Sequence, residues 1–183
     1  MRWFISFLLV ILAPLAEAEI FKGVDILSQK PFEISTKEKG ALLVFISSQC
    51  PCSNSHLAHL NSLHNQYPEI PLVGVLSNYG ENAENAAAHF KSQGVKFPVL
   101  HDPEAKLADK FNALKTPHAF LMDTESKIIY KGGVSSSHDF PRAKKHFLAD
   151  ALKQHSQNKT IEEPEGRALG CSITRKMGNP WLD

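Results

Sequence analysis

The sequence predicts an α/β fold with a mixed central sheet and helices on both of its faces. Three observations carry this. Continuous apolar runs at residues 41–47 and 72–76 have the pattern of strands buried on both faces. Amphipathic stretches alternate with the apolar runs, which implies parallel strands joined by right-handed crossovers. Late in the chain, strand-like segments at 119–122 and 127–130 flank a polar turn, which adds an antiparallel pair.

The elements follow in order. Phe32 and Ile34 alternate with Glu33 as in a short strand, Ile26 and Leu27 fit a strand or a turn, and Lys37-Glu38-Lys39-Gly40 reads as a solvated turn. After the run at 41–47 comes a turn with two cysteines, then a helix over about 52–66 whose apolar face is Leu57, Leu60, Leu63 and Tyr67; Pro68 ends it. The second buried strand at 72–76 leads to a helix over 83–93, with Ala86, Ala87 and Phe90 inward and Gly94 as its stop. A short strand at 97–100 and a helix over 104–112, with Pro103 at its start, complete the alternation. Thr116-Pro117 precedes the hairpin, and Gly132-Gly133 breaks it as glycines do at a bulge or a close backbone approach. A last helix is expected over 142–155, and the chain is polar and loop-like from there to Gly170.

Length and composition set the bounds. The 183 residues fit one domain, and 43% hydrophobic with 21% charged residues is ordinary for a globular protein. A formal net charge of +1 with no basic stripe argues against nucleic acid as a partner. Met1-Arg2 is a short basic start, residues 3–12 are an apolar run too short to span a bilayer, and Ala16-Glu17-Ala18 has the form of a cleavage site. The expected organisation is a signal peptide over 1–18, a domain over 19–157 and a tail over 158–183 carrying Cys171. The mature protein is then periplasmic or secreted, free of the membrane once the signal is cleaved, in a compartment where disulfides persist.

The cysteines carry the chemistry. Cys50 stands where a strand hands over to a helix, so the positive end of the helix and its unpaired N–H groups face the sulfur and favour thiolate. Cys52 lies two residues on, and a ring closed within Cys50-Pro51-Cys52 is tight and strained. Three cysteines leave one thiol over after any single disulfide, so an exported chain of this kind carries a working thiol. A different class is also open: Cys50, Cys52, His56 and His118 are soft ligands suited to copper(I), while His59, His64, His89, His146 and His155 read as solvated helix positions.

Cys50-Pro51-Cys52-Ser53 opening a helix after a strand, with Thr116-Pro117 before a β-hairpin, resembles the thioredoxin fold. More closely it is similar to the redoxin branch, the group related to alkyl hydroperoxide reductase and thiol-specific antioxidant proteins. Phe97-Pro98-Val99-Leu100-His101-Asp102, the segment from Thr116 through Asp123, and Gly170-Cys171-Ser172-Ile173 carry the same likeness. The resemblance implies a thioredoxin-like three-layer sandwich in which Cys50 is the nucleophile and Pro117 is cis. It also implies that Thr116 and Pro117 shape the substrate groove, where Thr116 can pair with an added strand.

The chain departs from both familiar patterns. Ser53 stands where a dithiol enzyme has its second cysteine, and Val44 and Gln49 stand where thioredoxin has a buried acid and a tryptophan. Leu43 stands in the position of a peroxidase proline, Ser47 in that of its threonine, and His118 where an arginine is expected; Arg167 is the arginine the tail could bring. The expected function is therefore thiol–disulfide exchange or antioxidant activity by an exported oxidoreductase. Its substrate carries a disulfide or a peroxide, a thiol supplies the electrons, and no cofactor is implied. Either Cys52 or Cys171 closes the bond with Cys50. The alternative is a non-enzymatic module that uses the same groove for a peptide or a copper ion.

Overall fold

The computed structural model describes residues 18–176. All of the expected signal peptide but Ala18, and the tail beyond Lys176, lie outside the described residues. The chain opens with an antiparallel hairpin of β1 (Ile20–Val24) and β2 (Pro31–Ser35). Next come β3 (Ala41–Phe45), α1 (Pro51–Gln66), β4 (Leu72–Leu76), α2 (Ala83–Ser92), β5 (Val99–His101) and α3 (Lys106–Lys110). The rest is β6 (Lys115–Thr116), β7 (His118–Met122), β8 (Ile128–Gly132), a single 3₁₀ turn at Phe140–Arg142, α4 (Phe147–Ser156) and β9 (Cys171–Ser172).

The central sheet runs β5-β4-β3-β7-β8. β3, β4 and β5 are parallel, and β7 and β8 are antiparallel additions, which is the mixed sheet the sequence predicts. Every residue of β3 and β4 is buried. Along β3 the side chains alternate between two cores, as the period of a strand requires. Leu42 and Val44 pack with Leu57, Leu60 and Leu63 of α1, Phe90 of α2, and Leu148 and Leu152 of α4. Leu43 and Phe45 pack on the other side with Ala108 of α3, Phe111, Phe120, and Phe21 of β1. Phe45, Phe111 and Phe120 meet with centroids 5.3–6.2 Å apart. A fully buried Leu or Phe contributes about 1.5–3 kcal/mol, so the strand that delivers Cys50 is fixed from both faces.

Several boundaries differ from expectation. The short strand begins at Val99 and runs to His101, with Phe97 and Pro98 leading into it. α3 begins at Lys106 because Ala105 adopts φ 55°, ψ 25°, a left-handed residue that no helix passes through. Its start is set by Asp102 instead of Pro103: the buried carboxylate accepts from the N–H groups of Leu107 and Ala108, both at 3.1 Å. α4 begins at Phe147, not at 142, because Arg142 closes the 3₁₀ turn and Ala143 after it is extended. The turn sits there because the Phe140 ring wedges between His59, 4.3 Å away, and His146, 5.0 Å away.

Gly132-Gly133 does mark a close backbone approach. A Cβ on Gly132 would lie 2.5 Å from the carbonyl oxygen of Gly166, and one on Gly133 would lie 2.7 Å from that of Arg167. The polar segment after α4 runs along β8, with Gly166 N–H donating to the Lys131 carbonyl at 3.0 Å. It then returns to the centre of the molecule and ends in β9. Among the described residues no helix is long and apolar enough to cross a membrane.

Candidate active site

β3 ends at Phe45, and Ile46-Ser47-Ser48-Gln49 carries the chain across the sheet edge to Cys50. A buried carboxylate holds this turn. Glu81 accepts from the Ser47 hydroxyl at 2.8 Å, the Ser48 N–H at 2.7 Å, the Ser48 hydroxyl at 2.6 Å and the Asn78 amide at 3.0 Å. Ser53, in the place of a second dithiol cysteine, is fully buried, and its hydroxyl accepts from the Ser47 N–H at 3.2 Å. The turn is thus pinned from two sides before the helix begins.

Cys50 is the N-cap residue of α1, extended at φ −93°, ψ 114°, with Pro51 in the first turn. Its carbonyl accepts the first helical hydrogen bond, from Asn54 N–H at 3.0 Å. Only 1% of Cys50 is exposed. Burial pushes its thiol up, but hydrogen bonds from Cys171, from Thr116 and from the backbone N–H groups of Ser53 and Cys171 outweigh burial and hold it at about 7. About half of it is then thiolate at neutral pH.

The Thr116-Pro117 bond is cis, as the family resemblance implies. It places the Thr116 carbonyl 3.0 Å from Cys50 Sγ, where it accepts from the thiol form. The Thr116 hydroxyl is buried with no nitrogen or oxygen partner. β6 then pairs antiparallel with β9, with Thr116 opposite Cys171 and Lys115 opposite Ser172. Gly170 makes this possible: a Cβ there would lie 2.0 Å from the Thr116 carbonyl oxygen. Beyond the ladder the tail is tied down by Ile173 N–H to the Leu114 carbonyl, Thr174 N–H to Asn78 Oδ1 and Tyr79 N–H to the Thr174 carbonyl, each at 3.0 Å. Ile173 is buried in the Phe45 core, and Arg175 pairs with Asp109.

This brings Cys50 Sγ and Cys171 Sγ to 2.6 Å, across 121 residues of chain. Both are free thiols, Cys50 buried and Cys171 exposed. Burial, then the hydrogen bond and charge of Cys50, push Cys171 up to about 12, so Cys171 is the protonated partner that steadies the Cys50 thiolate. Cys52, half-buried in the first turn of α1, has its sulfur 3.5 Å from His138 Nδ1. Burial and then the Cys50 charge raise its pKa. The three sulfurs all lie within 4.8 Å of one another.

The two histidines expected beside these cysteines do not join them. His56 is buried with both ring nitrogens engaged, Nδ1 with the Cys52 carbonyl at 2.7 Å and Nε2 with Ser135 Oγ at 2.8 Å. His118 lies on the Phe120 ring, centroids 4.5 Å apart, and burial pushes it down to about 4. The helix histidines are also less solvated than expected: His59, His64, His89, His146 and His155 are all half-buried, and His146 precedes α4. No arginine lines the cavity at Cys50 among the described residues; Arg167 is exposed, with its carbonyl against Gly133.

A cavity of about 280 Å³ opens on Cys50, lined by Ser47, Gln49, Asn78, Cys171 and Thr174 among others. Larger hollows of about 370 and 540 Å³ lie around α4 and the turn after it and hold no thiol, so size does not locate the chemistry here. Sequence reasoning missed Glu81 and the pairing of β9 with β6.

The AhpC/TSA family model matches residues 17–131, a span that includes Cys50, Cys52, Thr116 and Pro117 and stops short of Cys171. Thiol-disulfide oxidoreductase ResA of Bacillus subtilis (strain 168) is 31% identical over 105 residues, 55% of this chain and 56% of that protein. Its counterpart in Bacillus thuringiensis (strain Al Hakam) is 27% identical over 114 residues, 62% of this chain and 65% of that protein. The chain therefore spans less than two thirds of the length of these curated relatives. Among solved structures, an uncharacterised conserved protein from Geobacillus kaustophilus matches with a TM-score of 0.77 at 23% identity, over 90% of this chain and 94% of that one. At that identity the likeness is one of fold.

Proposed function

The chain belongs to the AhpC/TSA family, and from that membership we propose that it is an exported thiol–disulfide oxidoreductase with Cys50 as nucleophile and Cys171 as resolving thiol. Residues 1–18 are the signal peptide, 19–157 the catalytic domain and 158–183 the tail that supplies the second thiol. The protein works in the periplasm or outside the cell, on a disulfide-containing substrate and with a thiol electron donor. One observation carries this reading: Cys50 Sγ, at the start of α1, sits 2.6 Å from Cys171 Sγ, which β9 presents on the strand edge next to the cis bond.

The Cys50 thiolate attacks one sulfur of the substrate disulfide, forms a mixed disulfide and releases the other half as a thiolate. The negative charge that holds the Cys171 proton has then gone from Cys50. Cys171 gives up that proton, attacks Cys50 Sγ, closes the Cys50–Cys171 disulfide and expels the remaining half as a thiol. A donor dithiol later reverses the bond, giving two electrons and two protons. Thr116 and Pro117 supply the edge on which the attacking strand lies. Ser47, Ser53 and Glu81 position Cys50 without touching substrate.

A second reading, with a small hydroperoxide as substrate, is favoured by the burial of Cys50 behind β9 and by the size of its cavity. Cys50 would take one oxygen to become sulfenic acid, releasing the alcohol, and Cys171 would then condense with it and release water.

Mass-spectrometric mapping of the reduced protein after one equivalent of oxidised glutathione tests the first reading. A Cys50–Cys171 bond is expected in the wild type, and a glutathione adduct on Cys50 in Cys171→Ser. An adduct on Cys52, or turnover by Cys50→Ser, overturns it. The same mapping after one equivalent of hydrogen peroxide decides for the second reading if only peroxide produces the bond.

A further inference from the structure

A disulfide cycle needs two sulfurs, and the fold brings three together. Cys50 and Cys52 come from the first turn of α1 and Cys171 from β9, and their sulfur atoms all lie within 4.8 Å of one another. Neither a carboxylate oxygen nor an imidazole nitrogen belongs to this group among the described residues. An all-sulfur set rejects hard cations, which take oxygen, and selects soft ones. Zinc is tetrahedral and would need a fourth protein ligand or an open position. His56 has both nitrogens committed to Cys52 O and Ser135 Oγ, and His138, whose Nδ1 lies 3.5 Å from Cys52 Sγ, falls outside the set of atoms within 4.8 Å of one another.

Three sulfurs at about 2.3 Å from a central ion stand about 4.0 Å apart. The Cys50–Cys171 pair meets that spacing once it opens by about 1.4 Å, a movement of the exposed Cys171 side chain against the buried Cys50, and Cys52 Sγ lies within 4.8 Å of both. Groups that would steady coordinated thiolates are in place: His138 Nδ1 lies 3.5 Å from Cys52 Sγ, and the buried Thr116 hydroxyl has no nitrogen or oxygen partner.

We propose that the reduced protein binds one Cu(I) ion in a trigonal site made by the sulfurs of Cys50, Cys52 and Cys171. The ligands enter as thiolates, so binding releases the protons of those still protonated. Closing the Cys50–Cys171 disulfide removes two of the three ligands, so the site exists only in the reduced chain. It shares two sulfurs with the proposed exchange reaction and adds Cys52, which that reaction does not use.

The test is an anaerobic titration of the reduced full-length protein with Cu(I) against the chromophoric competitor bicinchoninate. The wild type is expected to retain one Cu(I) per chain, with three sulfur neighbours in its X-ray absorption spectrum. Cys52→Ala is expected to lose tenfold or more in affinity yet still form the Cys50–Cys171 bond with oxidised glutathione. The oxidised wild type is expected to retain no copper. Unchanged affinity in Cys52→Ala, retention by the oxidised protein, or no retention by the reduced wild type overturns the proposal. Copper binding by a protein that forms no Cys50–Cys171 bond with glutathione would defeat the exchange reading and leave this one standing.

Discussion

Thr116 and Cys171 are directly opposed in an antiparallel ladder only two residues long, on the strand edge next to the cis peptide bond. An edge of that kind can take a polypeptide as an added strand through its main-chain groups. Here it is filled by the chain's own tail, with a cysteine at the position facing the nucleophile. The resolving sulfur in our reading is thus presented as a bound partner would be, already aligned and at high effective concentration.

Removing that sulfur changes the nucleophile. The Cys171 hydrogen bond is the foremost of the interactions that lower the Cys50 pKa against the effect of burial. In Cys171→Ala the Cys50 titration is expected to move up from about 7 toward its ordinary 9.0. The thiolate fraction at neutral pH drops with it. Alkylation rate by iodoacetamide as a function of pH measures this; an unmoved or lowered midpoint would show that the helix start alone sets the acidity.

Gly170 tests the docking of the tail separately from its sulfur. Gly170→Val puts a branched side chain where even a Cβ would be 2.0 Å from the Thr116 carbonyl. Overpacking of this kind costs about 1–3 kcal/mol, and lifting β9 relieves it. Little change in the far-ultraviolet circular dichroism is expected, together with a tenfold or greater slowing of Cys50–Cys171 bond formation, read by quenched-flow alkylation.

Glu81 is the support beneath the site. It receives four hydrogen bonds, three of them from Ser47 and Ser48. Glu81→Gln turns one acceptor into a donor facing other donors, and an unsatisfied buried polar group costs about 1–3 kcal/mol. A lower urea midpoint and slower alkylation of Cys50 are the expected results.

Stability should fall on mild acidification. His59 and His118 are held at about 4 in the folded protein, His59 by burial and then by the nearby His146 and His56, His118 by burial and then by Lys131. Their unfolded value is 6.5. Between these values the unfolded chain binds more protons, so stability rises with pH. It is complete above about 6.5 and is lost as the pH falls toward 4. Urea midpoints at pH 7 and pH 5 check the sign, and His59→Phe, which keeps the stack on Phe140, should flatten the slope.

The parts of this fold that read clearly in the sequence are those where one strong local pattern meets no competitor. The unbroken apolar runs of β3 and β4 and the Leu57, Leu60, Leu63 spacing of α1 are of this kind, while the cis state of Pro117 is legible only through the family resemblance. β1 was harder to see because only Phe21 of its five residues is buried, leaving no alternation to detect. The late start of α4 reflects the Phe140 wedge among histidines from α1, a contact no local pattern encodes. Glu81 is an acidic residue in a loop, which looks solvated until three donors from another segment converge on it. Cys171 was visible as a loose thiol, yet its partner could not be chosen, because a two-residue ladder formed across the whole domain leaves no periodicity.

The return of β9 to α1 also sets an order of events in time. Cys50 and Cys171 are separated by 121 residues, most of the described chain. During synthesis every strand of the central sheet is complete before the partner thiol is made. A nascent chain that has reached β8 carries Cys50 without the hydrogen bond that most lowers its pKa, and with no thiol of its own to meet but Cys52. Only a chain carried through to β9 can cover its own nucleophile and present it with its partner thiol.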